Sequence, residues 1–388
     1  MWPAAMLSFE QDRAVRAAMD WFRTDSKQKQ VFRLFGHAGT GKTVLAKVIA
    51  EQVRGEVTFA AYTGKAASIM RNKGCAGAGT LHSKMYIPIE EEDVQGKVRT
   101  RYVVNKHGEL SRTNLIIVDE CSMVGKGMAH DLRSFGKPVL VLGDSFQLPP
   151  IEEDIGYFTR GKPDVMLTEV RRQAADNPLV ALATAVRQGK LLKVGQYGDS
   201  QVLRASQLDV GEVVRANQVL VGTVAMRMRL TSRLRSLDGF ATESPEIGDK
   251  LVCTRNNSRR SLYNGTLWTV AALKRSGDEN VFKLQVTSMD EMRGKDPRTI
   301  TVTIARSSLE ENSKSLAVDK TRALRIDERG LDHFAYANAL TVHKGQGSQW
   351  DRVFLFDERS TFPKYAQQWL YTGITRAAER ITIVTQGQ

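Results

Sequence analysis

Residues 36–43 read Gly36-His37-Ala38-Gly39-Thr40-Gly41-Lys42-Thr43, directly after the apolar run 31–35 and directly before the helical pattern 44–53. Glycines in a Gly-x-x-x-x-Gly-Lys-Thr loop let backbone N–H groups turn inward around anionic oxygens, and the N-terminus of the next helix adds partial positive charge. In this frame Lys42 reaches the β- and γ-phosphates of a nucleoside triphosphate, Thr43 offers a hydroxyl to Mg²⁺, and Ala38 and Thr40 complete the cradle. The strand-loop-helix setting separates a phosphate site from an ordinary glycine turn, and that setting is present.

Two apolar strands end in groups that fit phosphoryl transfer. Leu115-Ile116-Ile117-Val118 leads into Asp119 and Glu120, and parallel α/β sheets place ligand sites at the carboxyl ends of their strands. Asp119 is suited to holding Mg²⁺ and Glu120 to polarising an attacking water. Val139-Leu140-Val141-Leu142-Gly143-Asp144 runs into Ser145-Phe146-Gln147-Leu148-Pro149-Pro150; the Gln147 amide both donates and accepts, as a γ-phosphate sensor must. Arg172 in Arg171-Arg172-Gln173, and Arg376 in Tyr371-Thr372-Gly373-Ile374-Thr375-Arg376-Ala377, offer guanidinium charge for the γ-oxygens. Taken singly, each arginine reads as a surface ion-pair partner; the pair matters because no arginine finger is evident in the first domain. Gln11, in Ser8-Phe9-Glu10-Gln11, fits both a helix-capping box and an amide contact to adenine. The residues alone leave that choice open.

The elements that must position these groups are short apolar runs at 57–61, 115–118, 139–142, 165–167, 218–221, 353–356 and 381–384, separated by helical patterns. Fully buried parallel strands have this form, so the fold class is α/β with crossover helices. We expect a first domain over 1–164, with a basic β-hairpin insertion over 84–113 formed by 97–104, a turn at 105–108 and 109–112. A second domain is expected over 165–246 and 333–388. A small β-barrel is expected over 247–332, with an Asn264-Gly265 turn joining 261–263 to 266–270 as a hairpin.

With 388 residues and 41% hydrophobic content, the chain is long enough for two or three domains with real cores. A formal charge of +13 favours a polyanionic partner. Three scattered cysteines argue for reduced thiols and against a disulfide frame or zinc site. No basic segment with a following apolar leader opens the sequence, and no run approaches 18 apolar residues, so the expectation is no membrane and a cytoplasmic location, in a cell or an infected host. Thr63 and Lys65 in Tyr62-Thr63-Gly64-Lys65, and His82 in Thr80-Leu81-His82, are loop groups suited to sugar-phosphate, with Tyr102 among the candidate stacking rings.

Read in order, and with Leu340-Thr341-Val342-His343-Lys344-Gly345-Gln346-Gly347-Ser348-Gln349-Trp350 added, these motifs resemble the superfamily 1 DNA helicases, Dda/RecD-like (5′–3′) branch. The resemblance covers nearly the whole chain. It implies two RecA-like P-loop domains with ATP and Mg²⁺ in the cleft between them and single-stranded DNA across their tops. Lys42, Thr43, Asp119, Glu120 and Gln147 would act from the first domain, and Arg172 and Arg376 from the second. Gln11 would contact adenine, with Gly36, Gly39, Gly41, Gly347 and Gln349 also at the nucleotide. Thr63, Lys65, His82, Tyr102, Thr341 and His343 would contact DNA. The hairpin becomes a strand-splitting pin and the insert a small SH3-type barrel.

Three positions depart from the family pattern: Tyr62 stands in place of proline, Gly345 of serine and Gln349 of glutamate. The implied function is ATP-driven 5′ to 3′ translocation and unwinding by a monomer acting on single strands and duplex junctions, alongside replication or recombination proteins. The alternative is a DNA-dependent ATPase or translocase subunit that remodels protein-DNA complexes with little unwinding.

Overall fold

The computed structural model describes residues 7–92, 98–150, 156–169, 177–240, 244–257, 260–289, 297–310 and 331–385. The chain divides into two compact units, Met1–Asp176 and Asn177–Gln388.

The first unit carries β1 (Val31–Gly36), β2 (Val57–Ala61), β3 (Gly79–Thr80), β4 (Tyr86–Glu92), β5 (Val98–Val104), β6 (Leu115–Asp119), β7 (Val139–Gly143) and β8 (Val165–Leu167). Six of these pair in parallel in the order β3-β2-β6-β7-β1-β8. Every residue of β6 and β7 is buried, because helices cover both faces of the sheet. Alternate side chains serve opposite layers. Phe32, Leu34, Ile117, Leu140 and Leu142 pack with Ala14 and Val15 of α1 (Phe9–Asp20), Leu45 and Ile49 of α2 (Lys42–Gln52), and Ala67 and Met70 of α3 (Gly64–Asn72). Phe35, Ile116, Val118, Val139 and Val141 pack with Leu81 and Met85 of α4 (Leu81–Met85) and Leu132 of a later helix, Lys126–Arg133. Each large apolar side chain buried this way contributes about 1.5–3 kcal/mol, which fixes the strand ends that bear Asp119 and Asp144.

The second unit contains β9 (Gly195–Tyr197), β10 (Ser200–Arg204), β11 (Gln218–Val221), β12 (Lys250–Cys253), β13 (Leu267–Lys274), β14 (Val281–Ser288), β15 (Thr299–Ala305), β16 (Phe334–Tyr336), β17 (Ala339–Thr341), β18 (Trp350–Asp357) and β19 (Ala377–Thr385). One sheet runs β17-β11-β18-β19-β10-β9, parallel except for the β9–β10 pair. The other, β15-β14-β13-β12-β16, is antiparallel throughout and packs Leu251, Trp268, Val286, Val302, Ile304, Phe334 and Tyr336 into its own core.

Several expectations need correction. The run 165–167, placed at the start of the second domain, joins the first sheet as β8, where Leu34 pairs with Val165 and Gly36 with Leu167. A three-residue apolar run carries no signal for which sheet it joins, and here it covers the edge of β1. The hairpin forms from β4 and β5, with Tyr86 opposite Val104 and Glu91 opposite Arg99; Glu109–Arg112 is instead a short helix. The partner of β13 is β12, with Val252 opposite Leu267. The Asn264-Gly265 turn therefore sits inside the β12–β13 connection, with Gly265 at φ 88°. Phe334–Tyr336, assigned to the resumed second domain, pairs with β12 and belongs to the insert's sheet.

Candidate functional site

The phosphate loop leaves β1 and enters α2, as its spacing requires. Gly39 and Gly41 both have φ 83°, a left-handed conformation that side chains strain to adopt, and Gly41 is the N-cap of α2. A Cβ at Gly41 would lie 2.8 Å from Nε2 of Gln11, and one at Gly36 would lie 2.6 Å from Oγ1 of Thr40. Lys42 Nζ donates to the carbonyls of Gly36 at 2.7 Å and His37 at 3.0 Å, so the ammonium is folded onto its own loop.

Gln11 takes the capping role in the fold and adds a bond to the phosphate loop. Its Oε1 accepts from Ser8 N at 3.1 Å and its backbone N–H donates to Ser8 Oγ at 3.4 Å, a complete capping box. The remaining amide N–H reaches the phosphate loop itself, donating to Thr40 O at 3.0 Å. The buried glutamine thus ties α1 to the loop.

Thr43 Oγ1 donates to Asp119 Oδ2 at 2.8 Å, and the other carboxylate oxygen accepts from Glu120 N at 2.8 Å. A hydroxyl beside a buried carboxylate is the hard-oxygen donor set that suits Mg²⁺. Glu120 sits at φ 55°, ψ 44°, a left-handed conformation costing about 1–2 kcal/mol for a residue with a side chain. Gln147 is 8% exposed, and its Oε1 is a buried acceptor without a donor. Its backbone N–H donates to Asp144 O at 3.2 Å. His37 of the loop brings Nδ1 to 3.9 Å from Oδ1 of the fully buried Asp144, just past the end of β7, too far for a hydrogen bond. Sequence reasoning did not single out His37.

On the first unit's surface, His82 and Tyr102 come together with ring centroids 4.5 Å apart, edge to face, and Tyr86 lies 4.8 Å from the same imidazole. Tyr102 is 46% exposed. Burial pushes the His82 pKa below its ordinary value, leaving a neutral ring suited to stacking. Thr63 caps α3, accepting from Ala66 N at 3.1 Å, and Lys65 follows in the first turn of that helix, partly exposed. Tyr62 packs against the core beside α4.

In the second unit, the buried Arg376 donates from Nε to Thr372 O at 3.1 Å, from Nη1 to Ser348 O at 3.1 Å and from Nη2 to Thr375 Oγ1 at 3.0 Å. Those bonds bring together the two motifs that contain Gly347 and Arg376. Gly347 is buried and Gln349 exposed. Thr341 ends β17 and accepts from Lys344 N at 3.2 Å. His343, its pKa also lowered by burial, lies 5.5 Å from the Phe362 ring. Gly345 leaves room that Leu220 and Trp350 fill: a Cβ there would lie 3.3 Å from Leu220 Cδ2. Arg171 and Arg172 lie outside the described residues. The three cysteines are free and buried, with thiol pKa values pushed up by burial, to about 11 for Cys75 and Cys253. Among the described residues, no helix is long and apolar enough to cross a membrane.

Comparison with known proteins adds an independent line. Residues 6–207 match the family model described as an AAA domain, and residues 336–384 match a UvrD-like helicase C-terminal domain. The ATP-dependent RecD2 DNA helicase of Deinococcus radiodurans is 28% identical over 379 residues, covering 89% of this chain and 46% of the relative. The RecBCD enzyme subunit RecD of Mycobacterium tuberculosis is 24% identical over 397 residues, covering 90% and 66%. The chain spans about half the length of the RecD2 relative. Among solved structures, Pif1 helicase from Candida albicans aligns with a TM-score of 0.57 at 18% identity, over 98% of this chain and 94% of that one. Bacteroides Pif1 in complex with ADP-AlF3 and ssDNA aligns with a TM-score of 0.57 at 18% identity, over 97% and 92%. These likenesses extend over both units.

Proposed function

The chain belongs to the AAA-domain family, and from that membership we propose that it is an ATP-dependent DNA helicase of the superfamily 1 Dda/RecD-like type. It hydrolyses ATP to move 5′ to 3′ along single-stranded DNA and to open duplex at its junction with a single strand. The observation that carries the proposal is the Thr43–Asp119 hydrogen bond at the phosphate loop, with Glu120 directly after β6 and the buried Gln147 in the turn that follows the neighbouring β7. That set holds a nucleoside triphosphate and directs water to its γ-phosphate. One relative is a DNA helicase and one solved structure is a complex with ssDNA, which favours DNA as the track.

Each residue has a defined task in this reading. Lys42 leaves the Gly36 and His37 carbonyls for the β- and γ-phosphates. Glu120 orients and deprotonates the attacking water, and Gln147 uses its unpartnered Oε1 to sense that water or the phosphate. Thr43 and Asp119 would hold Mg²⁺, which supplies charge neutralisation at the phosphate oxygens when bound. Arg172 and Arg376 stabilise charge on the γ-oxygens, while Gln11, Gly347 and Gln349 contact the nucleotide. Thr63, Lys65, His82, Tyr102, Thr341 and His343 contact DNA, the two histidines as neutral rings.

The test is ATP turnover with and without single-stranded DNA. DNA should stimulate turnover many-fold in the wild type and not in Lys42→Ala. Turnover that ignores DNA would sink the proposal.

A further inference from the structure

β8 is an edge strand of the first sheet, three residues long and paired on one side to β1. Its exit lies directly against the phosphate loop. Leu167 O accepts from His37 N at 3.4 Å, and a Cβ added at Gly36 would stand 2.8 Å from that of Leu167. The end of so short a strand opens readily unless a group outside the ladder holds it.

Two carboxylates hold this one. At the entry, Asp164 Oδ2 accepts from Arg33 N at 2.8 Å, and the same carboxylate pairs with Lys29. At the exit, the Glu10 carboxylate of α1 accepts from Thr168 N at 3.0 Å, from Thr168 Oγ1 at 2.9 Å and from Glu169 N at 2.8 Å. A charged acceptor shared by two successive N–H groups and a hydroxyl fixes both the place and the direction of the chain leaving the strand. Burial raises the Glu10 pKa, but the bonds from Thr168 and Glu169 and the charge of Arg13 outweigh it and hold the carboxyl below its ordinary value. Thr168 and Glu169 are exposed, so water would satisfy their N–H groups without Glu10. The clamp is therefore about position.

The next residue of the helix is Gln11, whose amide donates to Thr40 O at 3.0 Å. One turn of α1 thus grips the phosphate loop twice, directly at Thr40 through Gln11, and at its start through Glu10, Thr168 and Leu167.

We propose that Glu10 is a positioning residue of the nucleotide site: by clamping the exit of β8 to α1 it holds the phosphate loop in its receiving shape before nucleotide arrives. The inference deepens the reading of the chain as an ATP-hydrolysing enzyme and rests on it.

The test is equilibrium binding of mant-ADP to the full chain, read by mant fluorescence. Loss of a negative charge near a phosphate site would, on charge alone, tighten binding of an anion. Glu10→Gln should do the reverse and raise the Kd about 5-fold, the rise expected when the competent loop falls to about a fifth of the population. Glu10→Ala, which removes every acceptor, should do the same. Arg16→Gln breaks a surface ion pair with Asp12 on the same helix and should leave the Kd at the wild-type value. In turnover, KM for ATP and KM for GTP should rise by the same factor in the Glu10 variants with kcat little changed, since the clamp acts on the loop and not on the base.

A Kd that is unchanged or lower in both Glu10 variants overturns the inference. So does an equal rise in Arg16→Gln, which would trace the effect to a weakened helix, or a rise in KM confined to ATP, which would place Glu10 at the base. Melting curves establish that each variant is folded; should Glu10→Gln fail to fold, Glu10→Ala decides alone, and failure of both would make the carboxylate a requirement of the fold and overturn the positioning role. If the wild type binds mant-ADP and hydrolyses ATP while both Glu10 variants match it, only this inference falls. If the wild type does neither, the ATP-enzyme reading falls with it.

Discussion

Thr43 Oγ1 donates a 2.8 Å hydrogen bond to Asp119 Oδ2, joining residues 76 positions apart. The bond holds the first turn of α2 against the end of β6, so the phosphate loop and the carboxylate strand act as one site. Asp119→Asn keeps an acceptor for Thr43 and nearly the same volume, while removing the charge. It should leave the melting temperature within a few degrees of wild type, since one such hydrogen bond is worth about 1 kcal/mol. ATP turnover should fall at least about 100-fold, as expected when a charge that organises phosphoryl transfer is lost. A coupled ATPase assay beside a thermal melt reads both.

Glu120 occupies a left-handed backbone conformation at φ 55°. Strain at such a position is tolerated when the side chain has a task that glycine cannot perform. Glu120→Gly should therefore unfold no more easily than wild type, with stability unchanged or raised by about 1 kcal/mol, yet lose ATP turnover by about 100-fold or more. Chemical denaturation and turnover measured on the same preparation separate the effects. A clear loss of stability would show that the carboxylate is structural.

Gln11 bonds simultaneously to Ser8 and to the carbonyl of Thr40. Gln11→Ala should cost about 1 kcal/mol through the lost helix cap. Adenine recognition predicts more: KM for ATP should rise about 10-fold while KM for GTP rises little, a difference of about 1.4 kcal/mol. Equal rises for both nucleotides would leave Gln11 a cap and loop anchor only.

His82 and His343 have pKa values lowered by burial. Their neutral forms are favoured in the fold, so the unfolded chain takes up protons first as pH falls through about 6.5, the ordinary histidine value. Stability associated with the two rings is fully present above that pH and is lost as pH falls toward their folded pKa values. The double variant His82→Gln/His343→Gln should lose less melting temperature between pH 7.5 and 5.5 than wild type does. An identical pH dependence would contradict the lowered values.

Much of this site was legible in sequence because its chemistry is local. A phosphate loop must follow a strand and open a helix, and the apolar runs ending in Asp119 and Asp144 had to be buried strands presenting polar ends. What stayed hidden depends on contacts between distant segments. Nothing in Val165-Met166-Leu167 says that it pairs with β1. Phe334–Tyr336 looks like any buried strand until its partner is known to be β12. Glu109–Arg112 follows a turn-like stretch, and only the actual pairing of β4 with β5 shows that it is not a hairpin strand. His82 and Tyr102 were each proposed for DNA, but their 4.5 Å approach arises from the way α4 leads into the hairpin. The Lys344–Asn264 hydrogen bond joins residues 80 positions apart and leaves no local trace in the sequence.

Strand displacement from tailed duplex DNA tests the helicase proposal most directly. With ATP, the wild type should release the labelled strand from a duplex bearing a 5′ single-stranded tail, release little from one bearing a 3′ tail, and release none without ATP or as Lys42→Ala. No ATP-dependent release from either substrate, or preferential release from the 3′-tailed one, would contradict it.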